Sequence, residues 1–529
     1  MNEAMAGIDA KSGNGAVALL EALSEGGARI CFANPGTTEL TLVEALAQVP
    51  AIRTVLCLFE GVCTGAADGF ARISGKVPLT LLHLGPGFAN GIANLHNARR
   101  AGSGIVTIIG DHASWHLPYD APLTSDIESL AAPVSVKVVR MTSSAPRAIA
   151  ADAASVLRSA EGGPTVLIVP TDVMDAVPPA GEKGAVGDLA GPLRSIAEDR
   201  IAAAAERLQG NSNIILLLGG DALVEAGQRA AAAIVAKVGG RVLMEPYPAV
   251  VALGGDLPPI ERQAYFPDDV IRQMGDAVVV LAGARVPISY FGYEGFPSQL
   301  VPDERLLVLS RPDEDGAAAL AALAQHLGAA DVPMRTPATV QDAGSDASAP
   351  LIPDDIVEAL VRQLPEDAVV SLEGSTLGGP WLRQAHRARR HRVMTNTGGA
   401  IGQGLPCAVG AALAAPGKRI VSLQSDGSGH YTLQALWTMA REKLPVTIIL
   451  AANHRYGILQ TELNRAQAEL ADPVIASLTR LDNPRADWTA LAAGYGVAAV
   501  RATNIGELEA ALARGLALDG PLLIQAELP

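Results

Sequence analysis

The stretch 425–457, SDGSGHYTLQALWTMAREKLPVTIILAANHRYG, decides how the fold of this chain is interpreted. Apolar runs at 419–424 and 445–452 predict two parallel strands, joined by a segment with helical periodicity. Each predicted strand is followed by a polar residue, Asp426 after the first and Asn453 after the second. Adjacent strand ends in an open α/β sheet border the crevice where ligands bind, so we expect these two side chains to share a site.

The chemistry of these side chains indicates what the site would bind. Asp426 and Asn453 offer hard oxygen ligands, which suit Mg²⁺ or, as the alternative ion, Ca²⁺, and suit zinc poorly. Mg²⁺ with so few protein ligands usually completes its octahedron with phosphate oxygens and water. The stretch therefore predicts a diphosphate ligand, while an ordinary pair of strands ending in polar turns remains the alternative for the motif taken alone.

The same stretch resembles the signature of thiamine diphosphate enzymes, in which GDG is followed, somewhat under thirty residues later, by NN. Asp426 precedes Asn453 by 27 positions, which fits this spacing. Ser425 replaces the first glycine of the signature, and Ala452 replaces its first asparagine. The resemblance implies that Asp426, Asn453 and the main-chain oxygen of Arg455 hold the metal.

Other segments of the last third of the chain extend the resemblance. NTGGAIGQGLP matches the family segment whose apolar residue, here Ile401, bends the cofactor into a V shape, and EGST matches a segment that touches the cofactor near its pyrimidine. Gly427 and Ser428 stand at a predicted helix N-terminus, where backbone N–H groups can bond a diphosphate. The cofactor-binding residues implied here are Thr376, Gly399, Ile401, Asp426, Gly427, Ser428, Asn453, Tyr456, Gly457 and Ile458.

Three side chains near predicted strand ends mark a candidate site in the first part of the chain. Thr37 in NPGTTEL and Glu60 in LFEGVCTGAADGFAR each open a predicted helix, and His83 in LLHLGPGFANGIAN ends a predicted strand. Local explanations compete, because threonine and glutamate favour helix N-termini and a histidine can be an ordinary interior residue. Three such side chains on one sheet edge nevertheless favour a site.

These residues also carry the resemblance. Glu60 matches the glutamate that activates thiamine diphosphate throughout this superfamily, by bonding N1′ of the aminopyrimidine and favouring its imino form. NPG with a following hydroxyl residue, and His83 with Asn90 behind it, resemble substrate-side motifs of benzoylformate decarboxylase. LGPGFAN equally resembles the large subunit of acetolactate synthase. The resemblance implies that Glu60, His83 and Thr37 are catalytic, the last two through substrate contact and proton transfer.

The implied activity is that of a thiamine diphosphate- and Mg²⁺-dependent lyase or transferase. A 2-oxo acid would lose CO₂ to give an enamine, which is protonated to an aldehyde or attacks a second carbonyl. Glu60 and the metal ligands lie in different predicted domains, so the resemblance implies a cofactor held between two subunits. We expect a homodimer with shared active sites, commonly a homotetramer.

Departures in the predicted substrate pocket leave the reaction open. The segment ILQTELNR follows Tyr456 and Gly457. Near the position of Glu462 in this segment, benzoylformate decarboxylase has an aromatic residue and acetolactate synthase has a tryptophan. The Glu462 carboxylate would repel a substrate carboxylate unless neutralised, and a salt-bridged surface residue is the alternative. Phe291 stands roughly where benzoylformate decarboxylase has a second histidine. With Leu459, Phe291 and Glu462 are the predicted pocket residues, and donor acid, acceptor, and decarboxylation versus carboligation stay open.

Composition sets the class of protein. The 529 residues are 49% hydrophobic and 4% aromatic, which favours a large α/β protein of several domains. A net charge of −15 argues against nucleic acid as a partner. The four cysteines lack metal-ligand spacing and predict reduced core residues. Neither a signal peptide nor a membrane-length apolar run is recognisable, so we expect a cytoplasmic protein without a membrane partner.

Helix and strand patterns alternate along the whole chain. They predict an α/β fold with three Rossmann-like parallel-sheet domains, a pyrimidine-binding domain at 1–180, a central domain at 190–332 and a diphosphate-binding domain at 350–529. Proline-rich linkers are predicted at 177–192 and 331–350. Three alternatives stay open: an FAD-containing acetolactate synthase or oxidase of the same superfamily, a degenerate non-catalytic homologue, and a nicotinamide dehydrogenase. No segment demands flavin, and the absence of GxGxxG counts against the dehydrogenase.

Overall fold

The computed structural model describes residues 13–179, 184, 186, 194–332 and 346–529. These residues form an α/β fold with three sheets, two fully parallel and one mostly parallel, which confirms the predicted fold class. We call the three long ranges the first, middle and last units. Most of the two predicted linkers lies outside the described residues, and the predicted domain boundaries stay predictions.

The first unit is built on a six-stranded parallel sheet in the order β2-β1-β3-β4-β6-β5. Strands β4 and β6 are buried along their whole length, because helices cover both faces of the sheet. The elements are α1 (Gly15–Glu25), β1 (Ile30–Asn34), α2 (Leu40–Gln48), β2 (Arg53–Leu56), α3 (Glu60–Ser74), β3 (Leu79–His83), α4 (Leu84–Ala101), β4 (Val106–Asp111), α5 (Ile127–Ala131), β5 (Lys137–Arg140), α6 (Pro146–Ser159), β6 (Thr165–Pro170) and α7 (Thr171–Met174).

The middle unit contains a smaller parallel sheet in the order β10-β8-β7-β11-β12. All five residues of β7, at the centre of this sheet, are buried. The elements are α8 (Glu198–Leu208), β7 (Ile214–Leu218), α9 (Glu225–Val238), β8 (Arg241–Met244), β9 (Val251–Leu253), β10 (Glu261–Arg262), α10 (Pro267–Met274), β11 (Val278–Ala282), β12 (Leu306–Ser310) and α11 (Gly316–His326).

The last unit is organised around a seven-stranded sheet in the order β17-β18-β16-β15-β13-β14-β9. Its elements are α12 (Pro353–Gln363), β13 (Ala368–Leu372), α13 (Ser375–Gln384), β14 (His391–Met394), α14 (Gly404–Ala414), β15 (Ile420–Ser425), α15 (Asp426–Gly429), α16 (Ala435–Arg441), β16 (Val446–Ala452), α17 (Gly457–Arg465), α18 (Pro473–Thr479), α19 (Trp488–Gly494), β17 (Ala498–Ala502), α20 (Ile505–Ala517) and β18 (Leu522–Glu527).

One edge strand of the last sheet comes from the middle unit. β9 pairs antiparallel with β14, with Val251 opposite Val393 and Leu253 opposite His391. Val251 and Leu253 are both buried, so the pairing also removes apolar surface from water. The sequence predicts three separate parallel-sheet domains, whereas in the described part of the chain the middle unit also contributes this antiparallel edge strand to the last sheet.

Helix α3 of the first unit packs closely on helix α14 of the last unit. A Cβ atom on Gly410 would lie 1.9 Å from the carbonyl oxygen of Ala66, so only glycine permits this approach. The buried guanidinium of Arg72 pairs with Asp68 and donates to the carbonyl oxygen of Thr395 at 2.7 Å. The two units thus share a tightly packed interface within one chain. Among the described residues, the helices are all too short or too polar to cross a bilayer.

Candidate active site

The ends of β15 and β16 bring Asp426 and Asn453 to the same edge of the last sheet. The two strands are parallel neighbours, with Ser425 opposite Ala451, and each polar residue directly follows its strand. The adjacency of these strand ends follows from the parallel pairing that the apolar runs predict.

Asp426 is a buried carboxylate held by backbone donors. Its side chain has only a few per cent of its surface exposed. Oδ1 accepts a hydrogen bond from Gly427 N at 2.9 Å, and Oδ2 accepts one from His454 N at 2.7 Å. Burial raises the pKa of Asp426, since desolvation opposes its negative charge. A bound cation would offset that cost, so this carboxylate is suited to be a metal ligand.

Asn453 lies in a tight turn in which its side-chain oxygen and the carbonyl oxygen of Arg455 are close together in sequence. Its Nδ2 donates to Thr376 Oγ1 at 3.1 Å, and its Oδ1 accepts from Arg455 N at 3.2 Å. His454 between them has φ +53°, a left-handed conformation that is uncommon outside glycine. The carbonyl oxygen of Arg455 accepts from Gly457 N at 3.1 Å and keeps a second lone pair.

These oxygen atoms fit a magnesium ion better than a metal that prefers nitrogen or sulfur ligands. Across the described parts of the chain, no three or more His, Cys, Asp or Glu side chains are grouped as metal ligands. A cation at Asp426 would therefore take its remaining ligands from amide and carbonyl oxygens and from a bound anion, as Mg²⁺ does at phosphate sites.

The remaining predicted residues of the last unit surround this turn. The ring of Tyr456 covers Gly427, where an added Cβ atom would lie 2.8 Å from Cε1 of the ring. Gly457 begins α17, and the Ile458 side chain that follows is exposed. Ser428 is buried, and its hydroxyl donates to the side-chain oxygen of Gln424.

The loop before α14 presents an apolar side chain outward. Gly399 has φ +77°, and a Cβ atom there would lie 1.9 Å from the hydroxyl oxygen of Tyr290. Ile401 is 42% exposed in the single chain. An apolar side chain left this accessible in the single chain is available to contact a bound molecule or another chain.

The first unit gathers Glu60, His83 and Asn90 around Gly87. Glu60 is buried at the first position of α3, and its Oε2 accepts from Asn90 Nδ2 at 3.0 Å. A Cβ atom on Gly87 would lie 3.1 Å from Glu60 Oε1 and 3.2 Å from His83 Cβ. The glycine therefore leaves a gap between the carboxylate and the histidine.

His83 is oriented by Glu39 and Thr38, two residues that the sequence pattern does not single out. Its Nδ1 lies 2.8 Å from Glu39 Oε2 and 3.1 Å from Thr38 Oγ1. Glu39 is fully buried. Thr37 is exposed in the 3₁₀ turn Thr37–Glu39, so the hydroxyl that contacts His83 belongs to its neighbour. NPGTTEL contained both hydroxyls and the glutamate, but a tight turn does not reveal which side chain points inward.

Helix α4 connects this first cluster to the Ile401 loop of the same chain. Asn94 Nδ2 donates to Gly61 O at 2.8 Å and to Gly402 O at 3.3 Å. One turn further along, Asn97 Nδ2 donates to Ala400 O at 2.8 Å, while its Oδ1 accepts from Ala400 N at 3.1 Å. Side chains of α4 therefore fill the space between Glu60 and this loop within one chain.

Glu462 faces an aromatic cluster of the middle unit. Its Oε1 accepts a hydrogen bond from the Tyr293 hydroxyl at 3.2 Å, which offsets part of the repulsion expected from a bare carboxylate. The guanidinium of Arg465, one helical turn later, lies 3.9 Å from the ring centroid of Phe266. Phe291 belongs to the same cluster and is 56% exposed, and Leu459 is also exposed.

The carboxyl edge of the middle sheet, where doubly wound domains bind ligands, is filled by protein groups. A Cβ atom on Gly283 would lie 2.3 Å from the carbonyl oxygen of Gly219, so the two loops touch. The carboxylate of Asp221 accepts from Gly316 N at 3.1 Å and Ala317 N at 3.2 Å, at the N-terminus of α11. A phosphate would compete with this carboxylate for the same donors.

The chain is similar in sequence to known proteins over almost its whole length. Residues 13–132 match the family model described as "Thiamine pyrophosphate enzyme, N-terminal TPP binding domain", and residues 378–526 match its C-terminal counterpart. The chain is 43% identical to a Mycobacterium tuberculosis protein named "Putative acetolactate synthase large subunit IlvX", over 98% of this chain and 99% of that protein. It is 30% identical to a benzoylformate decarboxylase of Pseudomonas aeruginosa, over 96% and 97% of the two chains.

A solved structure shares the fold. The thiamine diphosphate-dependent 4-hydroxybenzoylformate decarboxylase of Rhodococcus jostii RHA1 superimposes with a TM-score of 0.84 at 24% sequence identity. The superposition covers 97% of this chain and 99% of that one. The architecture of the three units is thus that of a known enzyme fold.

Proposed function

Since the chain belongs to the thiamine pyrophosphate enzyme family, we propose that it decarboxylates a 2-oxo acid with thiamine diphosphate and Mg²⁺, and then releases an aldehyde or joins a second carbonyl compound. The observation that carries the proposal is the buried Asp426 beside Asn453 at adjacent strand ends. When bound, the cofactor supplies a carbanion that adds to the substrate carbonyl, and its ring then accepts the electron pair released when CO₂ is lost.

The last unit would anchor the diphosphate through the metal. Asp426, Asn453 and the main-chain oxygen of Arg455 would hold Mg²⁺, with Ca²⁺ as a substitute. The backbone N–H groups of Gly427 and Ser428, and the hydroxyl of Thr376, would bind the diphosphate. Ile401 would support the bent shape of the cofactor from its exposed position in the loop.

Residues of the first unit would move protons. Glu60 would exchange a proton with the pyrimidine ring, and Asn90 holds its carboxylate in place through Oε2. Glu39 accepts from His83 Nδ1, which fixes the ring orientation and leaves Nε2 for proton transfer to the substrate. Thr38 contacts the same ring nitrogen and would support that orientation. Thr37 remains a candidate for substrate contact through its exposed hydroxyl.

The active site would be shared between two subunits of a homodimer or homotetramer. Ile401, Ile458 and Leu459 are each more than 40% exposed in the single chain, although they belong to the proposed cofactor and substrate walls. Trp115 and Tyr119 of the first unit are also strongly exposed. Apolar surfaces of this kind on both units are suited to cover one another across a twofold axis.

Two further aspects of the proposal concern the cellular compartment and the possible presence of flavin. All four cysteines are free and buried, which suits a reducing compartment such as the cytoplasm. A flavin diphosphate would compete with the Asp221 carboxylate for the helix N-terminus at the carboxyl edge of the middle sheet, which disfavours flavin binding there.

A screen of 2-oxo acids tests the proposed function. The purified protein is incubated with thiamine diphosphate, Mg²⁺ and each acid, including pyruvate and benzoylformate, and CO₂ and the organic product are measured. At least one acid should give cofactor-dependent CO₂ release. The variant Glu60→Gln should lose about 10²–10⁴-fold in turnover while largely keeping its affinity for the cofactor.

A matched control uses Glu44→Gln, which changes an exposed glutamate of the same unit. This variant should retain full turnover. Unchanged turnover in Glu60→Gln would contradict the assigned role of Glu60. Cofactor binding without CO₂ release from any acid would instead favour the non-catalytic homologue.

A further inference from the structure

The carboxylate of Glu373 lies at the centre of a buried hydrogen-bond network in the last unit. Glu373 is almost fully buried directly after β13. Its Oε1 accepts from Gly402 N at 2.8 Å and from Gln403 N at 3.0 Å. Its Oε2 accepts from Gly404 N at 2.8 Å and from Gln424 Nε2 at 3.0 Å. All four partners are donors, so the ionised carboxylate satisfies them best.

The network continues from Glu373 to the turn that contains Asp426. The side-chain oxygen of Gln424 accepts from Ser425 N at 3.0 Å and from the Ser428 hydroxyl. One end of the network therefore holds the backbone that follows Ile401, and the other end holds the turn proposed to bind diphosphate. Burial raises the pKa of the Glu373 carboxyl, and the four N–H donors, three of them at the N-terminus of α14, offset part of that desolvation cost.

We propose that Glu373 is a positioning residue, which fixes the Ile401 loop and the Ser425–Ser428 turn relative to each other through Gln424 before any cofactor binds. Charge-assisted hydrogen bonds in a dry interior are among the strongest that side chains make, so one carboxylate can hold both segments rigidly. Such prior ordering would lower the entropic cost of binding a bent, two-ended cofactor. This inference rests on the proposed function for its purpose, and on contacts of the protein alone for its geometry.

Hydrogen exchange in the cofactor-free protein tests the geometric claim directly. In Glu373→Gln, an amide donor replaces one acceptor oxygen and faces either the loop N–H groups or Gln424. Peptides covering 399–404 and 424–430 should both exchange at least about tenfold faster than in the wild type. Peptides from β4 of the first unit, and every peptide of the exposed control variant Glu304→Gln, should be unchanged.

A milder variant keeps the test decisive if Glu373→Gln does not fold. Gln424→Met preserves length but removes the connection between Glu373 and Ser428. It should speed exchange at 424–430 and spare 399–404, where three backbone bonds to Glu373 remain. The proposal would be overturned if the folded variants exchanged no faster than the wild type in both 399–404 and 424–430. It would also be overturned if exchange became faster throughout the chain.

Binding measurements by calorimetry separate this inference from the proposed function. With Mg²⁺ present, Glu373→Gln should bind thiamine diphosphate at least about tenfold more weakly than the wild type. A wild type that binds no thiamine diphosphate would contradict the proposed function and leave the exchange result as the test of positioning. Equal affinity of wild type and Glu373→Gln would contradict the positioning role alone.

Discussion

Ser425, which replaces a glycine of the family signature, lies against Gly374, and the contact between these two residues gives a specific mutational prediction. Gly374 has φ +91°, and a Cβ atom on it would lie 2.2 Å from Ser425 Oγ. Gly374→Ala should therefore incur a backbone penalty of about 1–3 kcal/mol, because φ +91° and ψ +131° are rarely adopted by residues other than glycine, and a steric cost of about 1–3 kcal/mol. Ser425→Gly alone should cost only a few tenths of a kcal/mol, since glycine is tolerated at a helix N-cap.

The double variant tests whether the two costs separate as the structure indicates. Ser425→Gly removes the contacting hydroxyl, so Gly374→Ala with Ser425→Gly should regain the steric part, about 1–3 kcal/mol, and keep the backbone part. Urea denaturation of the cofactor-free protein measures these free energies. Trp381 and Trp488 are buried in the last unit and report its unfolding by fluorescence.

Agreement between fluorescence and circular dichroism transitions is needed before a two-state free energy is taken. A coupling energy below about 0.5 kcal/mol between the two substitutions would refute the reasoning, because independent sites add within that margin. It would mean that Ser425 moves aside at no cost and that Gly374 answers only to its own backbone conformation.

Three further predictions concern the shared site, the His83 contact and acid stability. Co-expression of Glu60→Gln with Asp426→Asn chains should restore about one quarter of wild-type activity, since half of random dimers carry one intact site; no recovery would place each site in one chain. Glu39→Gln should lower turnover about 10–100-fold with cofactor affinity unchanged, and equal turnover would contradict its orienting role. Burial lowers the pKa of His391 from 6.5 to about 4, so unfolded chains bind the extra proton between these values. The free energy of unfolding should therefore keep its full His391 contribution above about pH 6.5 and fall by about 3 kcal/mol as the pH is lowered towards 4. In pH-dependent melting, His391→Gln should lack this part of the decrease.

The sequence was sufficient to predict the fold class and the family. Parallel pairing of two apolar runs places Asp426 next to Asn453 by geometry alone, because carboxyl ends of parallel strands share an edge. The assignment of individual site residues remains a prediction that the mutational tests address.

Other features depend on contacts that a linear pattern does not contain. A 3₁₀ turn directs Thr38 and the buried Glu39, and not Thr37, towards His83. The fit of Ser425 against Gly374 arises between segments about fifty positions apart. The network around Glu373 likewise joins three separate stretches, so its glutamate looked in the sequence like an ordinary residue of a cofactor-contacting segment.

Strand β9 of the middle unit forms an edge of the last sheet, and this pairing limits how the chain can be divided into fragments. A fragment that begins at residue 346 would lack β9, and its strand β14 would then expose unpaired backbone groups along the sheet edge. Open edges of this kind promote aggregation between copies. Expression of the last unit as an isolated fragment should thus yield insoluble protein unless residues 251–253 are supplied with it.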